Sequence, residues 1–210
     1  MFFLAGIGIL MLDASPAILK LGGIVYLPYI ALVALFRLLG IDAWIPLSFI
    51  VMGAGLFVFF LGATAWLYGK FMGVGLVTFW IYRYSRHPQY LGFLLWSYGL
   101  LMLTSILGSP MGGYIPPPSL PWLLLALAIV STAAMEENAM TRRYGEKYLE
   151  YRSRTAFMIP LLRDISSLVT FPARLILKKE WPESKREVIC VITIYGTILV
   201  LLSLPMLPLF

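Results

Sequence analysis

The stretch that decides the fold is IYRYSRHPQYLG, residues 81–92, which holds the single histidine of the protein, His87. It joins a basic loop to an uncharged run, because no Asp, Glu, Lys or Arg occurs from Pro88 to Met135. Proline suits the first turn of a helix, where its φ is already set and its missing N–H costs nothing. The sequence therefore predicts that His87 stands at the N-cap of a membrane helix, whose partial positive charge suits an anionic group. The simpler interpretation is that Arg86 and His87 only anchor this helix at the membrane interface.

The composition is that of an integral membrane protein. Of the 210 residues, 60% are hydrophobic and 12% are charged, about half the charged share of a soluble domain, and the mean hydropathy is +0.88. One Cys and one His argue against a zinc site, which is built mainly from several such ligands. We therefore expect no metal, and we attribute the net charge of +6 to orientation in the membrane rather than to nucleic acid.

Five membrane spans are predicted, and the fold class is accordingly an all-α, polytopic membrane helix bundle with interfacial amphipathic helices. The spans cover about residues 17–39, 44–67, 88–107, 120–135 and 188–206. Residues 1–12 are uncharged but short for a span, and they lack the positive leading region of a signal peptide. Residues 161–187 mix apolar and basic side chains, which is typical of an interfacial stretch that attracts anionic membrane lipid.

The charge distribution predicts the orientation. Of the 16 Lys and Arg residues, three lie in residues 68–87 and eleven in residues 136–187, whereas the loops 40–43 and 108–119 have none. The positive-inside rule then places both basic segments on the cytoplasmic face. We expect a multi-pass protein of the cell membrane in a prokaryote or of the endoplasmic reticulum in a eukaryote.

A pair of carboxylates follows the fourth predicted span. Glu136 and Glu137 share a membrane face with His87, so the polar groups could meet in one pocket, although a solvated helix end is the plainer interpretation. Residues 136–155 are predicted to be helical. Aromatic and apolar side chains recur there on one face, at Met140, Tyr144, Tyr148 and Tyr151.

Three motifs resemble, in order and spacing, those of the isoprenylcysteine carboxyl methyltransferase and phospholipid methyltransferase superfamily. Residues 86–92 resemble its RHPxYxG motif, residues 136–140 its EExxL element, and residues 144–151 its FGxxYxxY element. Residues 154–160 resemble its closing segment, which runs from a basic residue to a proline. The chain departs from the superfamily at Trp80, where a glycine is usual, and at Thr155-Ala156, which replace Val-Pro.

The resemblance implies a methyltransferase that uses S-adenosylmethionine, with its cofactor site on the cytoplasmic face. It also implies a lipophilic methyl acceptor, such as a prenylcysteine carboxylate or a phospholipid amine. The predicted domains are an N-terminal membrane hairpin (1–67), a methyltransferase core (68–160) and an interfacial segment with a C-terminal span (161–210), the last of which lies outside the resemblance. When the functional residues of the superfamily are carried over to the matching positions, the resemblance implies six cofactor-binding residues: Tyr82, Arg86, His87, Tyr90, Glu136 and Glu137. The implied catalytic residues are Glu137 and Arg154.

The charges of the cofactor agree with these residue types. S-adenosylmethionine is cationic at its sulfur and amine, which suits carboxylates, and anionic at its carboxylate, which suits Arg, His and a helix N-terminus. Two alternatives stay open: a non-catalytic membrane scaffold that retains a degenerate site, and a lipid or sterol reductase that uses a nicotinamide cofactor.

Overall fold

The computed structural model describes residues 16–107, 119–159, 178 and 181–205. Within them the chain forms six helices of nine residues or more. These are α1 (Leu27–Leu38), α2 (Trp44–Phe71), α3 (Pro88–Leu107), α4 (Ser119–Tyr144), α5 (Glu146–Arg154) and α6 (Lys185–Ser203). Single helical turns occur at Pro16–Leu19, Gly23–Tyr26 and Trp80–Arg83. The predictions for residues 1–12, for the loop 108–118 and for most of residues 161–187 lie outside the described residues.

Among the described residues, three helices are long and apolar enough to cross a membrane, namely α2, α4 and α6. The first predicted span coincides with a shorter apolar segment, Gly23–Leu38, and the third coincides with α3, which carries no charged residue. No strand occurs in the described residues, although an isolated parallel bridge joins Ser85 and Ala156. The predicted all-α membrane fold class is confirmed.

Helix α4 runs further than the sequence predicted. The fourth span was expected to end near residue 135, but the helix continues through the acidic pair to Tyr144. It ends at Gly145, whose φ of 54° and ψ of −133° belong to a region that side chains other than glycine avoid. The predicted helix over residues 136–155 is therefore divided between the end of α4 and the separate helix α5.

The chain divides into two compact units. Unit 1 comprises Met1–Ala54, Leu94–Ala128 and Ile194–Phe210, and unit 2 comprises Gly55–Phe93 and Ile129–Thr193. The core of unit 1 is a cluster of buried apolar side chains, namely Tyr26, Tyr29, Val33, Leu47 and Met102. The three regions that the sequence predicted, 1–67, 68–160 and 161–210, stay a prediction.

Close packing between α2 and α3 shapes unit 2. A Cβ added at Gly92 of α3 would lie 2.4 Å from the backbone nitrogen of Phe59 and 2.7 Å from the carbonyl oxygen of Gly55. A Cβ added at Gly62 would similarly meet Gln89 and Pro88 at 3.0 to 3.1 Å. Such short contacts let two helix backbones approach closely, as in membrane proteins generally. The start of α3, which carries the histidine motif, is thereby held against α2.

Candidate active site

The histidine motif lies where a short loop enters α3. Helix α3 begins at Pro88, as predicted, and the carbonyl of His87 accepts the backbone N–H of Leu91 at 3.0 Å. His87 therefore stands at the N-cap. The side chains of His87 and of the neighbouring Arg86 are almost enclosed, because only 8% of His87 and 9% of Arg86 are exposed.

Arg86 connects the motif to the C-terminal end of α5. Its Nη1 donates to the carbonyls of Arg152 at 2.7 Å and Thr155 at 2.6 Å, and its backbone N–H donates to Ala156 at 3.0 Å. A guanidinium is favourable at a helix C-terminus, because the unpaired carbonyls there carry a partial negative charge. The Nε of Arg86 reaches the carboxylate of Glu137 at 2.9 Å.

Glu137 is the centre of a buried polar cluster, which also comprises Arg86, His87 and Tyr148. Its side chain is fully buried, and Oε1 lies 2.9 Å from Arg86 Nε, 3.0 Å from His87 Nε2 and 2.7 Å from the hydroxyl of Tyr148. Its other oxygen, Oε2, is buried without a hydrogen-bond partner among the described residues. A buried carboxylate is costly unless it is paired, so these three contacts make Glu137 dependent on the motif and on α5.

Glu136 has different surroundings, although it is adjacent in sequence. Half of its side chain is exposed; Oε1 accepts the hydroxyl of Tyr90 at 2.6 Å, and Oε2 lies 3.7 Å from His87 Nδ1. The rings of His87 and Tyr90 stack with their centroids 5.7 Å apart. Successive residues of a helix point about 100° apart, which places one carboxylate inside the cluster and the other at its surface.

A cavity of about 740 Å³ opens beside this cluster within unit 2. It is bounded by Trp66 and Lys70 of α2, by the loop 73–77, by residues 86–90 and by parts of α4 and α5. Of the predicted site residues it brings together Tyr82, Arg86, His87, Tyr90 and Glu136. Glu137 is not among the described residues that line it, because its carboxylate is turned into the buried cluster.

Arg154 lies elsewhere in unit 2. It lines a second cavity of about 390 Å³, together with Arg83, Lys147 and Glu150. Its Nη2 pairs with Glu150 at 2.7 Å, and both side chains are largely exposed, 75% for Arg154 and 63% for Glu150. The structure therefore does not bring Arg154 to the polar cluster, and its catalytic role stays a prediction.

Burial raises the pKa of the tyrosines near the cluster further above neutral pH. It raises the pKa of Tyr82 to about 12, with a further contribution from the charge of Glu136. It also raises the pKa of Tyr148, where the charge of Glu137 acts in the same direction. For Tyr151, burial raises the pKa and outweighs the opposing charge of Arg86. All three phenols are therefore hydrogen-bond donors at neutral pH, as in the 2.7 Å bond from Tyr151 to the carbonyl of Tyr82.

The cavity suits a ligand that carries both charges, since Glu136 faces it together with Lys70 and Arg143. Its volume falls within the roughly 300 to 1,000 Å³ typical of small-molecule sites. Aromatic side chains from Trp66, Tyr144 and the other tyrosines complete the lining and could hold a flat base. The residues present thus fit S-adenosylmethionine, whose amine, sulfonium and carboxylate need groups of opposite sign.

Comparison with known proteins places the same segment in a family. Residues 64–155 match the family described as "Protein of unknown function (DUF1295)". The chain is 34% identical over 88 residues to "Protein-S-isoprenylcysteine O-methyltransferase A" of Arabidopsis thaliana, which covers 42% of this chain and 41% of that protein. It is 33% identical over 91 residues to "Protein-S-isoprenylcysteine O-methyltransferase" of Schizosaccharomyces pombe, covering 41% of this chain and 34% of that protein. The chain is therefore similar to named isoprenylcysteine methyltransferases over about two fifths of its length.

The chain thus spans about two fifths of one of these curated relatives and a third of the other. No solved structure matches it. The segment that matches the family model, residues 64–155, contains every predicted site residue, from Tyr82 to Arg154.

The fold accommodates the two positions, Trp80 and Ala156, at which the chain departs from the superfamily motifs. Trp80, at the position of the usual glycine, has a positive φ of 52°. Its ring stacks on Tyr68 at 5.6 Å and lies edge-on to Phe79 at 5.6 Å, which holds it in this conformation. Ala156, at the position of the usual proline, contributes its carbonyl to Arg86. A proline would offer the same carbonyl, so this replacement loses no hydrogen bond there.

Sequence reasoning missed the role of Tyr148 as a donor to Glu137, and it missed Trp66 and Lys70 in the cavity. A signal for the first was present, since the predicted stripe of Met140, Tyr144, Tyr148 and Tyr151 lines the cavity throughout. For Lys70, the only signal was a single cation at the end of a long uncharged run. Nothing local in the sequence shows that this cation lies near residues 136–143.

Proposed function

We propose that this protein is a membrane methyltransferase that uses S-adenosylmethionine and transfers a methyl group to a lipophilic acceptor. The observation that carries the proposal is the cavity-facing group of Glu136, His87 and Tyr90, in a segment related to proteins named as isoprenylcysteine O-methyltransferases. When bound, S-adenosylmethionine supplies an electrophilic methyl group on a sulfonium.

The residues of this chain would act mainly by binding and orientation. Glu136 would hold the cationic part of the cofactor, and Lys70 and Arg143 its carboxylate, since these side chains have the opposite charges and line one cavity. Methyl transfer requires an in-line approach of the acceptor, and correct positioning alone lowers such barriers substantially. No residue needs to form a covalent bond with the substrate.

Glu137 would contribute to the site indirectly. Its Oε1 fixes both Arg86 and His87, whose side chains border the cavity. This role differs from the one expected from the motif, and it is supported by the full burial of the carboxylate and by the three donors on its Oε1. We propose Glu137 as a positioning residue and Glu136 as the cofactor-binding carboxylate.

The acceptor would be a prenylcysteine carboxylate, a phospholipid amine or a similar lipophile. A carboxylate acceptor is favoured by the second cavity, where Arg83, Lys147 and Arg154 outnumber Glu150. Arg154→Ala should then raise the KM for a carboxylate acceptor, while the affinity for the cofactor stays near that of the wild type.

The test is transfer of a labelled methyl group by the purified protein in lipid nanodiscs. One arm offers farnesylated N-acetylcysteine, the other phosphatidylethanolamine, and label in the lipid-soluble product is counted. We expect transfer in one arm and a loss of at least about tenfold in Glu136→Gln, since ~1.4 kcal/mol of lost stabilisation is tenfold in rate. Transfer in neither arm, with NADPH consumed in the presence of a sterol, would favour the reductase instead.

A further inference from the structure

The ring of Trp181 lies within cation–π distance of the buried Arg86 guanidinium. Three of the five N–H groups of that guanidinium donate hydrogen bonds, one to Glu137 and two to the carbonyls of Arg152 and Thr155. Hydrogen bonds lie in the guanidinium plane, so they leave its two faces open. The rings of Phe157 and Trp181 lie 5.8 Å and 5.9 Å from Cζ of Arg86, within cation–π distance.

The contact extends to the rest of the cluster. The Trp181 ring also lies 5.4 Å from Cζ of Arg152, whose carbonyl accepts from Arg86. Phe157 packs against Trp181 at 5.2 Å and against His87 at 5.1 Å between ring centroids. Arg86 and His87, two of the three groups that bind Glu137 Oε1, are thus in contact with Phe157, and Phe157 is in contact with Trp181.

The position of Trp181 is set by the start of α6. Ser184 and Glu187 form a capping box there: the backbone N–H of Glu187 donates to Ser184 Oγ at 3.2 Å, and Glu187 Oε2 accepts from Ser184 at 3.4 Å. The intervening Pro182 is buried. The indole N–H of Trp181 is itself buried with no hydrogen-bond partner among the described residues, so ring packing is what this side chain contributes.

Trp181 lies outside residues 64–155, the segment that matches the family model. We propose that Trp181 is a positioning residue for Arg86. Residues 181–184, which lead into α6, would then complete the candidate site although they lie outside residues 64–155. The effect on ligand affinity rests on the proposed function, whereas the shielding of Arg86 does not.

The shielding is tested by chemical modification of arginine. Phenylglyoxal is added to the full-length protein in nanodiscs, and the modification rate at Arg86 is read by peptide mass spectrometry, with the exposed Arg154 as internal reference. We expect the rate at Arg86 to rise at least about fivefold in Trp181→Ala, since a lost cation–π contact of this kind corresponds to a factor of that order. Trp181→Phe, which keeps an aromatic face, should stay near the wild type.

Trp122→Ala is the matched control, because Trp122 is also a half-buried tryptophan but lies in unit 1, where it donates to Ser97 at 3.1 Å. Trp181→Leu is a further variant that keeps apolar bulk and removes the aromatic face, should Trp181→Ala fail to fold. An Arg86 rate in Trp181→Leu equal to that of the wild type would overturn the proposal. So would equal rates in Trp181→Ala and Trp122→Ala.

Affinity for S-adenosylhomocysteine is the second measurement on the same variants. We expect it to fall about fivefold in Trp181→Ala and to recover in Trp181→Phe, as a contact acting through Arg86 requires. Unchanged affinity in a Trp181→Ala protein that binds the ligand would contradict a positioning role. If the wild type does not bind S-adenosylhomocysteine at all, the proposed function fails, and the phenylglyoxal rates alone decide whether Trp181 shields Arg86.

Discussion

At the scale of single residues, the adjacent carboxylates Glu136 and Glu137 have different surroundings. Glu137 is fully buried with three donors, whereas half of the Glu136 side chain is exposed at the cavity. Glu137→Gln removes the charge that Arg86 pairs with, and breaking such a buried pair costs at least about 2 kcal/mol. We expect a clearly lower melting temperature in Glu137→Gln and an almost unchanged one in Glu136→Gln, measured by thermal denaturation in the same detergent.

Equal melting temperatures for the two Gln variants would contradict this division. It would mean that Oε1 of Glu137 is solvated, in which case an ionic contact contributes little.

Trp80 offers a second prediction at this scale. Its positive φ costs roughly 1 kcal/mol in any residue with a Cβ, and its stacking on Tyr68 offsets that cost. Trp80→Ala loses the stacking and keeps the strain, whereas Trp80→Gly loses both. The Gly variant should therefore be more stable than the Ala variant by about 1 kcal/mol, as judged by denaturant titration. The opposite order would show that residue 80 does not hold the left-handed conformation.

Helix packing dominates at the scale of elements, and Gly92 is where it is tightest. A methyl group there would meet the backbone of α2 at 2.4 Å, which side-chain movement cannot relieve. Gly92→Ala should therefore destabilise the protein by about 1–3 kcal/mol, the usual cost of overpacking. Gly53→Ala is the control in α2, since a Cβ at Gly53 meets nothing within 4 Å and should be tolerated. Comparable melting temperatures for both variants would refute the close approach of α2 and α3.

The elements also show how far sequence reasoning reaches. Proline chemistry predicted the start of α3 at Pro88, and uncharged runs predicted the helices that became α2, α3, α4 and α6. Hydropathy could not predict where α4 ends, because its apolar part stops near residue 135 while backbone hydrogen bonding continues to Tyr144. The stop at Gly145 depends on backbone conformation, which a composition switch does not reveal.

The sequence pointed to residues of the polar cluster but not to the contacts between them. The motifs named Arg86, His87 and the acidic pair, yet nothing local distinguishes Glu136 from Glu137. Their different surroundings follow from a rotation of about 100° on α4 and from partners 11 to 51 residues away, Tyr148 and Arg86. The motifs could not predict the contact of Trp181 with Arg86, because Trp181 lies outside residues 64–155, which match the family model.

The whole molecule has an orientation that the basic residues predict. Residues 40–43 should face the outside and the start of α6 the cytoplasm. In a Cys190→Ser background, Asp42→Cys should react with an impermeant thiol reagent added to intact cells, and Arg186→Cys should react only after the cells are opened. Both positions are exposed in the structure, so access depends on the membrane alone. The reverse labelling pattern would overturn the orientation and move the cavity to the outer face.

The proposed function is tested by a calorimetric titration of the purified protein with S-adenosylhomocysteine, repeated with NADPH. We expect saturable binding of S-adenosylhomocysteine at one site per chain, no binding of NADPH, and affinity for S-adenosylhomocysteine at least about tenfold weaker in a folded Glu136→Gln. Binding of NADPH alone, or S-adenosylhomocysteine affinity that is the same in Glu136→Gln as in the wild type, would contradict the assignment of the cavity.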